Sequence, residues 1–161
     1  MAAGATPFIG FIVDRIGRRT LLLIMASSIL TCGHFVFEFM PDCPLGDCNQ
    51  ALVILPFVCL GIFYSFYSAV LWPCVALVCD PKVVGTAFGI ITSIQNIGLA
   101  VGPLIVGAIV ENTERKDGYF YMSIFFIIIS CLCVLINIIL FFYDRNNRDI
   151  LSKPTRYIDK Q

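Results

Sequence analysis

Charge is what this 161-residue sequence has least of: Asp, Glu, Lys and Arg together make up 14% of it. Ordinary soluble domains carry about 25%. Apolar residues reach 58% and mean hydropathy is +0.88, which excludes a water-soluble fold, a disordered tail and a collagen-like fibre. Eleven basic residues balance eleven acidic ones, so no excess positive charge is present for nucleic acid. Histidine occurs once, at His34, and neither H-E-x-x-H nor G-x-S-x-G is present. Gly102 to Gly107 has P-loop glycine spacing, but Ala108-Ile109 stand where Lys-Ser/Thr would be needed. The expectation is a protein that is not an enzyme, with no cofactor and no metal site. Asn-x-Ser/Thr sequons are also absent.

What is present is length without charge. Ala51–Cys79, Val83–Val110 and Tyr119–Tyr143 contain no charged residue, and Thr20–Met40 holds only His34 and Glu38 near its far end. A helix crossing the hydrocarbon core needs about 20 predominantly apolar residues. The sequence therefore predicts an all-α transmembrane protein with spans at about 20–40, 51–79, 83–110 and 119–143, and a cytoplasmic tail over 144–161. Met1–Val13 is too short to cross and reads as the end of a span or an interfacial stub. It has no basic segment or cleavage site of a signal peptide.

Lys and Arg gather on the cytoplasmic side of membrane proteins. With Asp14–Arg19 inside, alternation puts nine basic and five acidic residues there, against two and six on the far side. The neutral total hides a polarised molecule. Cys43 and Cys48 fall in the far-side loop 41–50, where a disulfide and a reduced pair are both compatible with the spacing. The remaining six cysteines lie within spans or at their ends and read as small apolar packing.

The spans differ in texture. The first and fourth are smooth apolar runs without Pro. The second carries Pro56, Gly61 and Pro73 with Tyr64, Ser65, Tyr67, Ser68 and Trp72; the third carries six residues that bend or thin a helix (Gly85, Gly89, Gly98, Gly102, Pro103, Gly107) around Thr92, Ser93, Gln95 and Asn96. Polar groups at mid-depth are costly against lipid and belong against protein or a wet cavity. Gly85-x-x-x-Gly89 and Gly98-x-x-x-Gly102 permit close helix approach. Tyr64, Trp72, Gln95 and Asn96 are larger than close packing requires, which favours a cavity over helix glue. His34 and Glu38, four apart, suit a proton relay or an interfacial pair, and their place near a span end favours the second.

Gly10-Phe-Ile-Val-Asp14-Arg15-Ile-Gly17-Arg18-Arg19 matches G-x-x-x-D-R-x-G-R-R at every fixed position. That loop motif resembles the one of the major facilitator superfamily. The resemblance implies a partial C-terminal bundle, the end of span eight plus spans nine to twelve, in which ten and eleven line the cavity and nine and twelve face outward. A narrower similarity, over Leu71–Val78, Gly85–Gly89 and Ser93–Ala100, points to a lysosomal dipeptide transporter branch of that superfamily. It implies a small-molecule substrate, a multi-pass place in the lysosomal membrane, an N-terminal half-bundle absent from this chain, and an accessory membrane glycoprotein as partner.

On that reading Tyr64, Tyr67, Ser68, Trp72, Gln95 and Asn96 are the expected substrate-binding residues. Aromatic faces attract an ammonium, and Gln and Asn side chains pair with carboxylate or amide. Gly10, Asp14, Arg15, Gly17, Arg18, Arg19 and Asp80 are the expected conformational latch, with Arg18 or Arg19 pairing with Asp80. Such a half is expected not to transport alone, since a carrier cavity needs both bundles. Other readings stay open: a carrier for a sugar or organic anion, or a truncated membrane interaction or assembly protein.

Overall fold

The computed structural model describes residues 9–11, 13–39, 50–113, 115–147 and 150–153. Cys43 and Cys48, residues 1–8 and residues 154–161 lie outside these. Four long helices follow one another: α1 (Arg19–Glu38), α2 (Gln50–Val78), α3 (Val84–Glu111) and α4 (Arg115–Asn146). Each contains a stretch long and apolar enough to cross a membrane. At 1.5 Å per residue even the 20 residues of α1 span about 30 Å, the thickness of the hydrocarbon core. Helices suit this solvent because every backbone group is satisfied within the segment. The described residues contain no strand.

The helices run alternately up and down. At one end Val13, Leu23, Val70, Cys74 and Leu151 form a buried apolar cluster, joining the start of α1, the last turns of α2 and the segment after α4. Towards the other end Gly33 of α1 meets Cys59 of α2, His34 stacks on Phe126 of α4, and Gly118 lies against Val110 of α3. α1 packs against both α2 and α4, whereas α3 leans on α4 and touches α2 only lightly.

α1 is enclosed because one stripe of it is small. Thr20, Leu23, Ala26, Ser27 and Gly33 are buried, at the three- and four-residue steps that share a helix face, while Leu21, Met25, Phe35 and Val36 are exposed on the rest. A Cβ added at Gly33 would stand 3.1 Å from Cβ of Cys59. The close helix approach is therefore made by Gly33. At Gly85, Gly89, Gly98 and Gly102, where the glycine spacing suggested it, an added Cβ meets nothing within 4 Å. No residue of α3 is buried.

Candidate functional site: the loop motif and the exposed polar face

The motif folds as a tight reversal. Residues 13–16 are helical, and the Gly17 N–H closes that turn on the Val13 carbonyl at 2.9 Å. Gly17 (φ 67°) and Arg18 (φ 48°) then enter the left-handed region before α1 starts. Glycine adopts that geometry freely, whereas an arginine there costs about 1–3 kcal/mol and persists only if its surroundings enforce it. Gly17 is buried and Arg18 exposed. Arg15 lies over the ring of Phe11, 6.0 Å from its centroid.

Arg19 is fully buried. Its Nη2 donates to Oδ1 of Asp14 at 3.0 Å and its Nη1 to the carbonyl of Lys153 at 3.1 Å. A buried guanidinium demands such partners, because desolvation otherwise costs several kcal/mol per ion (about that order). The expected partner, Asp80, is engaged elsewhere: its Oδ1 accepts the Lys82 N–H at 2.9 Å, turning the chain into α3. Within the motif Asp14 thus pairs with Arg19, while Arg15 and Arg18 lie exposed.

The polar residues of α2 and α3 divide between two directions. Tyr67 faces inward, packing against the cluster of Val70 and Cys74 and stacking on Phe63. Trp72 turns towards α3, where its ring lies 5.6 Å from Phe88. Tyr64 is 56% exposed, and Gln95 and Asn96 are exposed as well. Ser68 and Ser93 donate to the carbonyls of Tyr64 and Gly89, four residues back, both at 2.8 Å. Their hydrogens are directed to their own helix, so each hydroxyl offers lone pairs outward. Tyr64, Ser68, Trp72, Gln95 and Asn96 are carried by two helices that touch each other only lightly, and the structure does not gather them into a closed pocket. A cleft of about 400 Å³ lies elsewhere, among Gly33, His34, Pro56, Phe57, Met122 and Phe126, with none of these candidates on its wall.

Two features escaped the sequence reading. One is the small-residue stripe of α1, whose signal was Ala26 and Gly33 two turns apart. The other is Asp144, counted as the first residue of a tail. It lies inside α4, is buried, and accepts hydrogen bonds from the Leu151 N–H and the Ser152 hydroxyl. Among the described residues no group of His, Cys, Asp and Glu is arranged to hold a metal ion.

The family model of the Major Facilitator Superfamily matches residues 1–157. The zebrafish (Danio rerio) lysosomal dipeptide transporter MFSD1 is 32% identical over 144 residues, covering 89% of this chain and 28% of that protein. The human (Homo sapiens) MFSD1 is 30% identical over 156 residues, covering 97% of this chain and 31% of that protein. Human solute carrier family 22 member 17 is 30% identical over 148 residues, covering 83% of this chain and 22% of that protein. The chain thus spans less than a third of the curated relatives it matches. No solved structure matches.

Proposed function

The chain belongs to the major facilitator superfamily, and on that premise we propose that it forms part of a secondary transporter for small solutes, dipeptides foremost, in the lysosomal membrane. The observation that carries this reading is the complete motif folded into a tight turn closed by the Asp14–Arg19 ion pair, on a chain whose relatives bear the name of lysosomal dipeptide transporter. Transport then proceeds by alternating access, two bundles rocking about a site at mid-depth.

α2 and α3 supply this chain's share of that site. α3, none of whose residues is buried, offers the surface left for an opposing bundle and the solute between them. A dipeptide presents an ammonium, an amide and a carboxylate. Tyr64 and Trp72 offer aromatic faces to the ammonium, Ser68 offers lone pairs to N–H groups, and Gln95 and Asn96 match the amide or carboxylate. Tyr67 stands behind them, holding α2 to the core. No charged residue lies in these spans, so charge recognition falls to the opposing bundle. Gly10, Asp14, Arg15, Gly17, Arg18, Arg19 and Asp80 serve as the latch at the cytoplasmic end. The accessory membrane glycoprotein belongs to the same proposal.

The test is uptake into proteoliposomes by the complete carrier, given a labelled panel of dipeptides, a sugar and an organic anion. Trp72→Ala and Asn96→Ala are each expected to cut dipeptide uptake about tenfold, the loss of one well-placed interaction. Membrane insertion should stay normal. Full activity after both changes removes the assigned cavity, and uptake confined to the sugar or the anion replaces the substrate.

A further inference from the structure

The first turn of a helix leaves backbone N–H groups without partners, and a polar side chain usually caps them. α1 has no side-chain cap. Its acceptors come from the far end of the chain: the Arg18 N–H donates to the Ser152 carbonyl and the Arg19 N–H to the Leu151 carbonyl, both at 3.1 Å. The Arg19 side chain adds the Lys153 carbonyl, also at 3.1 Å. Three consecutive carbonyls of residues 151–153 therefore all point at Arg18 and Arg19. The segment is held there by two means. Leu151, 5% exposed, plugs the apolar cluster beside Val13 and Cys74. Asp144, 8% exposed, grips it from the other side, Oδ1 accepting the Leu151 N–H at 3.1 Å and Oδ2 the Ser152 hydroxyl at 3.3 Å.

We propose that Asp144 is a positioning residue for the loop motif: by clasping residues 150–153 it makes that segment a backbone cap for α1 and so fixes the left-handed turn at Gly17–Arg18. The motif is thereby under the control of a segment more than a hundred residues away, and whatever loosens that segment loosens the turn. This goes beyond transport of any particular solute and does not depend on the substrate.

The chemistry distinguishes the variants. Asp144→Ala removes both acceptors, whereas Asp144→Asn keeps one carbonyl oxygen for the Leu151 N–H. Ser152→Asp sets a second carboxylate against Asp144 and repels the segment; Ser152→Ala leaves the Ser152 carbonyl, the cap itself, in place. The experiment is limited trypsin digestion of the full chain in lipid nanodiscs, with fragments identified by mass spectrometry and helix content checked by circular dichroism. Arg15 and Arg18 are exposed and report on the turn. Asp144→Ala and Ser152→Asp should raise cleavage at both by about tenfold, the change in a local opening equilibrium when a hydrogen bond to a charged group is lost. Asp144→Asn and Ser152→Ala should stay within about twofold of the parent, their caps being retained. Should Asp144→Ala not fold, Ser152→Asp decides alone. Faster cleavage at Arg156, beyond the clasped segment, with none at Arg15 or Arg18 overturns the proposal, as does an equal rise at Lys82, which would signal general loosening.

Discussion

Asp14 and Arg19 meet at 3.0 Å across the turn at Gly17, so the acid that opens the charge pattern of the motif and the base that closes it neutralise each other. The guanidinium is fully buried and the carboxylate half exposed. The pair thus removes the cost of burying the Arg19 guanidinium, while Arg15 and Arg18 keep their charges at the exposed side of the loop.

Arg19 uses two separate nitrogens for two acceptors in different directions, a fork that lysine lacks. Arg19→Lys is expected to lower stability by about 1–2 kcal/mol, the worth of one charge-assisted hydrogen bond. Thermal unfolding in micelles, followed by helical circular dichroism, measures it. A melting curve indistinguishable from the parent's would mean that Lys153 contributes nothing.

Asp80 shapes the entry to α3 through its bond to the Lys82 N–H. Asp80→Asn keeps an acceptor and should be nearly neutral. Asp80→Lys loses it and reverses the charge just beyond the end of α2. In the complete carrier that reversal should shift the balance between inward- and outward-facing states, read as changed cysteine accessibility from each side of the membrane. Equal accessibility in both variants would take Asp80 out of the latch.

Gly33 and Gly98 make opposite forecasts although both are membrane glycines. Gly33→Val drives two methyls into Cys59 and should cost about 1–3 kcal/mol of α1–α2 packing, the usual price of overfilling a tight contact. Gly98→Val meets nothing within 4 Å and should leave the thermal midpoint of this chain unchanged. Spin labels on the exposed faces of α1 and α2 would register the separation in the first variant alone.

Trp72 and Phe88 are a principal contact between two helices that otherwise touch little. Phe88→Ala should weaken that contact by about 0.5–1.5 kcal/mol, the value of an aromatic pair. A broadened α2–α3 distance distribution by electron spin resonance is the expected result, and an unaltered one would show that α3 is positioned by α4.

The helices were legible from their charge-free runs because a membrane leaves no other way to satisfy a backbone built of such residues. The motif was legible because its residue types are fixed by geometry: Gly17 stands where φ turns positive. Which faces would pack was not legible. Lipid is as apolar as a protein interior, so the polar stripe that marks the outside of a soluble helix is missing, and Ala26 and Gly33 carry only a size signal. Asp144 was hidden for a different reason. One of its two partners is the backbone N–H of Leu151, which leaves no trace in the identity of the residue that bears it, and the other is an ordinary serine hydroxyl, Ser152.

Because carbonyls of residues 151–153 complete the start of α1, the order of biosynthesis matters to this molecule. The ribosome makes the motif before its cap, with the four helices α1 to α4 between them. Until then the first turn of α1 lacks those acceptors, so completion of the loop follows translation of residues 151–153.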